Sequence, residues 1–200
     1  MLRLLGRQTS GNVQKVIWLL EELGLDYRRE DYGRQFGNTR TDDYLKLNPN
    51  AKVPTLVDDG LAIWESNTIL RYVGNKTGCD LYPDEPKLRS LVERWMDWQL
   101  ASLNQPYLQI FREAKKDAAE RAASFEADAR ALGEQLEILD AALRDAHWLA
   151  AERMTLAEVC LGPVVKRCLG FPIDLPPLAA LRRWYDGFAG RAAFEKATAG

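Results

Sequence analysis

The chain has 200 residues, 46% of them apolar, which is enough to bury a core in one large domain or two small ones. Its net charge is −2, and no run of like charge occurs, so nothing favours binding to nucleic acid or to an anionic membrane surface. No apolar run is long enough to span a bilayer, and Arg3 interrupts the apolar N-terminus. We therefore expect a cytoplasmic protein that neither crosses nor binds membranes.

The cysteine and histidine content excludes several kinds of site. Cys79, Cys160 and Cys168 are scattered and form no CxxC pair, so neither a disulfide framework nor a dithiol redox motif is predicted. His147 is the only histidine, which argues against a Ser-His-Asp triad and against a histidine-based metal site. We expect no metal cofactor.

The first half of the chain alternates between strand and helix periodicity. LRLL near the N-terminus predicts a strand, residues 12–23 a helix, and residues 27–31 a second strand followed by a polar loop. VPTLVDDGLAIWES predicts a hairpin, because Asp59-Gly60 is a strong turn pair. A further helix is predicted over residues 66–76, which gives the order β-α-β-loop-β-β-α.

The second half is helical in pattern. Residues 78–86 (GCDLYPDEP) contain turn formers and two prolines, which predicts a linker. Helices are predicted over residues 88–95 and 125–143, and from Leu156 and Leu178 onward. The expected architecture is an α/β domain over residues 1–77 followed by an all-helical domain over residues 87–200.

Two motifs together carry a family resemblance. NPNAKVPTL covers residues 48–56, and WESNTILRYV covers residues 64–73. With these motifs the chain resembles the cytosolic glutathione transferases, and its N-terminal part is similar to bacterial members near the theta, delta and nu classes. The resemblance runs essentially end to end. It implies a thioredoxin-like N-terminal domain, an all-helical C-terminal domain that forms the electrophile site, glutathione as co-substrate, and a homodimer.

The same resemblance implies which residues bind glutathione. Pro54 would follow a cis peptide bond, and the backbone of Val53 would pair with the cysteinyl unit as an added strand does. Glu65 would pair with the γ-glutamyl ammonium, and Ser66 at a helix N-terminus would bind the adjacent carboxylate.

Lys52, with Asn50 beside it, would face the glycyl carboxylate at the other end of glutathione. Structural roles remain open for these positions. Pro54 can simply begin a strand, Ser66 can also cap a helix, and a loop lysine is most often solvated.

Ser10 and Asn12 are the candidate catalytic residues. By resemblance, Ser10 occupies the place of the theta- and delta-type serine, and Asn12 that of the nu-type asparagine. Each would donate a hydrogen bond to the glutathione sulfur and so favour the thiolate. Thr9 is a rival one residue away, and all three residue types are also common helix N-caps.

The electrophile site is less evident from the sequence. Tyr107 and Phe111, four residues apart on a predicted helix, are the preferred candidates, and Trp95 and Trp184 are alternatives. Large aromatic residues of this kind are also ordinary core residues.

Thr155-Leu156-Ala157-Glu158 forms a capping box. It is similar to the box that begins the buried helix of the family's second domain, with Glu158 where aspartate is usual. This motif therefore concerns folding.

Two classes of function follow from these patterns. The first is a glutathione transferase that activates glutathione as a thiolate for attack on an apolar electrophile, with peroxide or disulfide reduction as further reactions. The second is a non-catalytic binding or assembly module with the same fold.

Overall fold

The computed structural model describes residues 1–199, and the chain divides into two compact units. The first unit contains residues 1–83 together with the C-terminal residues from 189 onward, and the second contains residues 84–188. The first boundary lies inside the predicted linker. The C-terminal end differs from the expected division, because the last helix of the chain packs within the first unit.

The first unit is built around one sheet. Its elements up to residue 77 are β1 (Leu2–Leu5), α1 (Gly11–Glu22), β2 (Tyr27–Glu30), α2 (Asp42–Leu47), β3 (Thr55–Asp58), β4 (Leu61–Trp64) and α3 (Ser66–Thr77). The strand order is β2-β1-β3-β4, with β1 and β2 parallel and the other two pairs antiparallel. This mixed sheet with its helices is the thioredoxin-like α/β arrangement that the sequence predicts.

The hairpin turn has the predicted form. Asp59 and Gly60 both have positive φ, 46° and 88°, as a type I′ turn requires. Strand β3 therefore returns directly as β4, which ends immediately before α3.

Helix α2 is an element that the sequence prediction missed, because only a polar loop to about Thr41 was expected between β2 and the hairpin. Its first turn contains Asp42 and Asp43, and the Thr41 hydroxyl accepts a bond from the Tyr44 N–H at 3.4 Å. With six residues, α2 is too short for a helical period to be recognised in the sequence.

The second unit is all-helical. Its helices are α4 (Pro86–Trp98), α5 (Asn104–Glu113), α6 (Phe125–Ala142), α7 (Leu156–Leu169) and α8 (Ala179–Ala189). A π-helical turn, Gln99–Leu103, joins α4 to α5. Pro106 near the start of α5 has no N–H to offer the carbonyl of Ser102 within that turn, which explains why the helical path widens there.

The capping box of α7 is present as predicted. The Thr155 hydroxyl accepts a bond from the Ala157 N–H at 3.2 Å, and Glu158 Oε2 accepts one from the Thr155 N–H at 2.8 Å. The longer side chain of Glu158 reaches further, because its Oε1 also accepts bonds from the Leu149 N–H at 2.8 Å and the Trp184 indole N–H at 3.3 Å. These bonds join the segment before α7 and helix α8 to the start of α7.

The last helix, α9 (Ala192–Thr198), lies in the region predicted to be helical, but its place in the first unit was not predicted. It packs on α1, where the ring of Phe194 meets Trp18 edge-on at 4.7 Å. The Gln8 amide, in the loop between β1 and α1, donates to the Lys196 carbonyl at 2.9 Å. Helix α9 therefore holds both α1 and the loop that precedes it. None of the helices in residues 1–199 combines the length and the apolar character needed to cross a membrane.

Candidate active site

The sheet topology brings most of the predicted site residues to one edge. Leu5 pairs with Thr55, and Thr55 pairs with Trp64, so these three residues form one row across β1, β3 and β4. The chain leaves β1 at this row and reaches Ser10 five residues later. It enters β3 from the Val53-Pro54 segment, and it leaves β4 into Glu65 and Ser66. Because β3 is antiparallel to both neighbours, the start of β3 and the ends of β1 and β4 share this edge.

The β1–α1 loop packs closely against Val53. A Cβ atom added to Gly6 would lie 2.5 Å from Val13 Cγ2 and 3.4 Å from Val53 Cβ. A glycine is therefore required at the exit of β1 because of Val13 on α1, whereas the distance to Val53 is that of an ordinary van der Waals contact.

Ser10 has a hydroxyl that the fold does not use. The residue stands at the N-cap of α1 and is 8% exposed; its N–H donates to the Arg7 carbonyl and its carbonyl accepts from the Gln14 N–H. The side chain makes no capping bond, and the part of the chain that the structure describes offers its hydroxyl no other partner. Thr9 is exposed, and Asn12 is exposed on the first turn of α1. The Ser10 hydroxyl thus remains available to a ligand.

The Val53–Pro54 peptide bond is cis, as the resemblance implies. Within residues 1–199, neither the N–H nor the C=O of Val53 forms a hydrogen bond. An extended peptide could therefore pair with this backbone without displacing an existing bond.

Helix α2 holds the segment that carries Lys52 and Val53. The Tyr44 hydroxyl donates to the Lys52 carbonyl at 2.6 Å, and the Asn48 amide donates to the same oxygen at 2.9 Å. Both groups also lie 3.0 Å from the Thr55 hydroxyl. Burial raises the pKa of Tyr44, which keeps its phenol protonated as a donor.

Tyr44 and Asn48 were not singled out in the sequence. Asn48 is the first residue of the NPNAKVP motif, and that position was the available signal. Tyr44 lies in helix α2, which was not predicted, so its hydrogen bond to the Lys52 carbonyl was not expected from the sequence.

Glu65 and Ser66 occupy the start of α3. Glu65 is an exposed N-cap residue with φ of 67°, a left-handed conformation that is costly for a residue other than glycine. Ser66 is the first residue of the helix and is 3% exposed. The side-chain oxygens of both residues have no hydrogen-bond partner among residues 1–199. A free carboxylate and a free hydroxyl therefore stand at the positive end of the α3 dipole.

Lys52 and Asn50 are exposed on the loop before β3. In the described chain, the Lys52 ammonium has no ion pair and the Asn50 amide makes no hydrogen bond. The Asn50 backbone is fixed, because its N–H donates to Asn48 Oδ1 at 3.0 Å. A cation is thus presented close to Val53 without being neutralised by the protein.

The aromatic candidates all lie in the second unit. Tyr107 is 6% exposed and stacks on the half-buried ring of Phe111, with centroids 5.9 Å apart. Trp95 and Trp184 are buried, and their indole N–H groups donate to the Leu149 carbonyl at 3.0 Å and to Glu158 at 3.3 Å. The two tryptophans therefore serve the core, whereas Phe111 keeps an open surface.

Comparison with known proteins agrees with this geometry. Residues 2–75 match the family model for the glutathione S-transferase N-terminal domain, and residues 103–192 match that for the C-terminal domain. Glutathione S-transferase GstB of Escherichia coli K12 is 33% identical over 98% of this chain and 97% of its own length.

Two solved structures extend the comparison. The theta-class glutathione S-transferase of Xanthomonas axonopodis pv. citri, with glutathione bound, superimposes with a TM-score of 0.95 at 35% identity, covering 100% of this chain and 97% of that one. A delta-class glutathione transferase of Nilaparvata lugens gives 0.90 at 26% identity, covering 100% and 93%. The chain belongs to the glutathione S-transferase family.

Proposed function

We propose that this protein is a glutathione transferase that binds glutathione at the sheet edge described above and activates its thiol. The observation that carries the proposal is the set of polar groups that the fold gathers there and leaves unsatisfied. The chemical groups along this edge are complementary to those along glutathione, in the same order. They are a carboxylate and a hydroxyl at Glu65 and Ser66, an unpaired strand backbone at Val53, and a cation at Lys52.

Each part of glutathione has a complementary group in this arrangement. The γ-glutamyl ammonium pairs with Glu65, and its carboxylate is bound by Ser66 at the N-terminus of α3. The cysteinyl backbone pairs with the N–H and C=O of Val53. Lys52, with Asn50 beside it, binds the glycyl carboxylate.

The bound thiol is activated by Ser10. A free thiol has a pKa of about 8.5, so only a few per cent is ionised at pH 7. A hydrogen bond to a charged group is worth roughly 1.5–3 kcal/mol, which lowers the thiol pKa by about one to two units. Ser10 donates that bond, Asn12 is the second donor, and the N-terminus of α1 adds favourable dipole charge.

The acceptor is an apolar electrophile that contacts Tyr107 and Phe111. The thiolate sulfur forms a bond to the electrophilic carbon, and the leaving group departs with its electron pair. Conjugation of this kind would serve detoxification, and the same thiolate also supports glutathione-dependent reduction of peroxides or disulfides. We further propose that the protein acts in the cytoplasm as a homodimer, which light scattering with molar-mass determination would test.

The test measures glutathione binding by calorimetry, thiolate formation by ultraviolet absorbance of the complex, and turnover with chlorodinitrobenzene, a peroxide and a disulfide. In the Ser10→Ala variant, and more strongly in the Ser10→Ala/Asn12→Ala variant, we expect the bound thiol to titrate at higher pH by about one unit or more. Thr9→Ala is the matched control and should leave that titration unchanged.

Two results would contradict the mechanism. An unchanged thiol titration in the double variant would remove Ser10 and Asn12 from the activation step. Tight binding of glutathione by the wild type, with no thiolate band and no turnover, would instead identify a non-catalytic binding or assembly module.

A further inference from the structure

The Lys52 carbonyl is the end point of a buried hydrogen-bond network in the first unit. The Tyr44 hydroxyl and the Asn48 amide donate to its oxygen at 2.6 and 2.9 Å. Both groups also lie 3.0 Å from the Thr55 hydroxyl, and all three side chains are 2% exposed or less. A buried network whose members are all paired is held in one geometry. The direction of the Lys52 carbonyl is therefore fixed from inside the unit.

One order of donors satisfies every bond in this network. The Asn48 amide nitrogen, which only donates, gives one hydrogen to the Thr55 oxygen and the other to the Lys52 carbonyl. The single hydroxyl hydrogen of Tyr44 also goes to that carbonyl, so the Thr55 hydroxyl donates to the Tyr44 oxygen. The bonds thus run in one direction toward the Lys52 oxygen and reinforce one another.

The carbonyl of Lys52 and the N–H of Val53 belong to the same peptide group. Among residues 1–199 the only cis peptide bond is Val53–Pro54, so the Lys52–Val53 peptide is trans, and its C=O and N–H point in opposite directions. Donors that hold the carbonyl toward the buried network therefore turn the Val53 N–H away from it. They also draw electron density from the peptide, which makes this N–H a stronger donor.

The ring of Tyr44 is held independently of its hydroxyl. It stacks on Tyr32 with centroids 5.0 Å apart, and it belongs to a core cluster against which Val53 packs. A phenylalanine keeps these contacts and lacks only the hydroxyl. Tyr44→Phe therefore removes one of the two bonds to the Lys52 oxygen and leaves the packing in place.

We propose that Tyr44 is a positioning residue for glutathione, which aims the Val53 N–H at the carbonyl of the cysteinyl unit and strengthens that donor. The inference rests on the proposed function, in which the cysteinyl backbone pairs with Val53. Asn48 supplies the second bond to the same peptide and shares this role. Because Tyr44 is buried and acts through the Lys52–Val53 peptide, it affects how tightly glutathione binds and not how its thiol is activated.

Two ligands that differ at one amide test this role. The first is glutathione, and the second is an analogue in which a trans alkene replaces the Cys–Gly amide. The alkene keeps the shape of the amide but has no carbonyl to accept from the Val53 N–H. Calorimetry gives Kd for each ligand per folded molecule, and the quantity compared is the ratio of Kd for the analogue to Kd for glutathione.

Tyr44→Phe should raise Kd for glutathione about fivefold, equivalent to about 1 kcal/mol, and should change Kd for the analogue by less than about 1.5-fold. The ratio should therefore fall about fivefold from its wild-type value. Thr55→Val, which removes the hydroxyl that donates to Tyr44, should lower the ratio by about twofold. In both variants the thiol of bound glutathione should titrate as in wild type, because Ser10 is unchanged.

Tyr27→Phe is the matched control. The Tyr27 hydroxyl donates to Glu21 at 2.8 Å in the same unit, so this variant also loses one tyrosine hydroxyl bond. It should lower the urea midpoint of unfolding, as Tyr44→Phe does, but it should leave the ratio of the two Kd values at that of wild type.

Each outcome decides the inference. Equal Kd values for the two ligands in wild type overturn it, and so does an unchanged ratio in Tyr44→Phe, whether both Kd values rise together or neither changes. If Tyr44→Phe does not fold, Thr55→Val decides, and a wild-type ratio in that variant overturns the inference. A wild type that binds neither ligand refutes the proposed function itself, whereas normal binding of glutathione with an unchanged ratio in the variants refutes this inference alone.

Discussion

Helix starts in the two units use the same residue types in opposite ways. At the N-terminus of α7, the side chains of Thr155 and Glu158 are buried and fully hydrogen-bonded. Ser10 and Glu65 are the N-cap residues of α1 and α3, and Ser66 is the first residue of α3, but their side chains make no hydrogen bond within the described chain.

This difference distinguishes side chains that stabilise the fold from side chains that are available to bind a ligand. A buried polar group left unpaired costs free energy, so groups that serve stability are paired within the chain. We propose that the groups at the starts of α1 and α3, which the fold leaves open, are paired by glutathione instead. Substitutions at the start of α7 should therefore mainly lower the free energy of unfolding. Substitutions at the starts of α1 and α3 should mainly lower activity.

Glu158→Ala should destabilise the protein most, by about 3 kcal/mol or more. It leaves the Leu149 and Thr155 N–H groups and the Trp184 indole unpaired in a buried site, and each such group costs about 1–3 kcal/mol. Urea unfolding measures the loss. Glu137→Ala, at an exposed position of α6, is the control and should stay within about 0.5 kcal/mol of wild type.

Thr155→Ala should cost about 1 kcal/mol, because it removes an N-cap oxygen but leaves Glu158 in place. Turnover per folded molecule should not change. A selective loss of kcat in a variant of normal stability would contradict the assignment of this box to folding.

The Asp58 contacts should give a smaller effect that depends on pH. Lys76 and the Tyr72 hydroxyl both contact Asp58 Oδ2, and they lower the pKa of this carboxyl. A lowered pKa in the folded state means that the stabilisation is present above the ordinary aspartate pKa of about 3.9 and is lost as the pH falls through the folded value. Asp58→Asn should therefore flatten the acid limb of a stability profile measured by urea unfolding. An identical acid limb in both proteins would show that the contacts contribute nothing.

Ser10→Ala should change the free energy of unfolding least, by less than about 0.5 kcal/mol, since the hydroxyl makes no capping bond. The same variant should lower kcat/KM at pH 7 by about tenfold or more, because the thiol loses its donor. A stability loss of the size expected for Thr155→Ala would mean that this hydroxyl serves folding in solution.

The sequence by itself determined the elements that depend on neighbouring residues. The Asp59-Gly60 hairpin, the α1 and α3 helices and the Thr155–Glu158 capping box were all predicted, because turn geometry, helical period and capping act over a few residues. The paired motifs around Lys52 and Ser66 likewise identified the family.

Tertiary structure decided what depends on distant partners. Helix α2 is held by Tyr44, which packs in one core cluster with Leu5 and Val57, and α9 is held by the packing of Phe194 on Trp18, far along the chain. Local periodicity contains no information about such contacts. Whether a serine at a helix start caps the helix or leaves its hydroxyl without a hydrogen bond likewise depends on the packing around it.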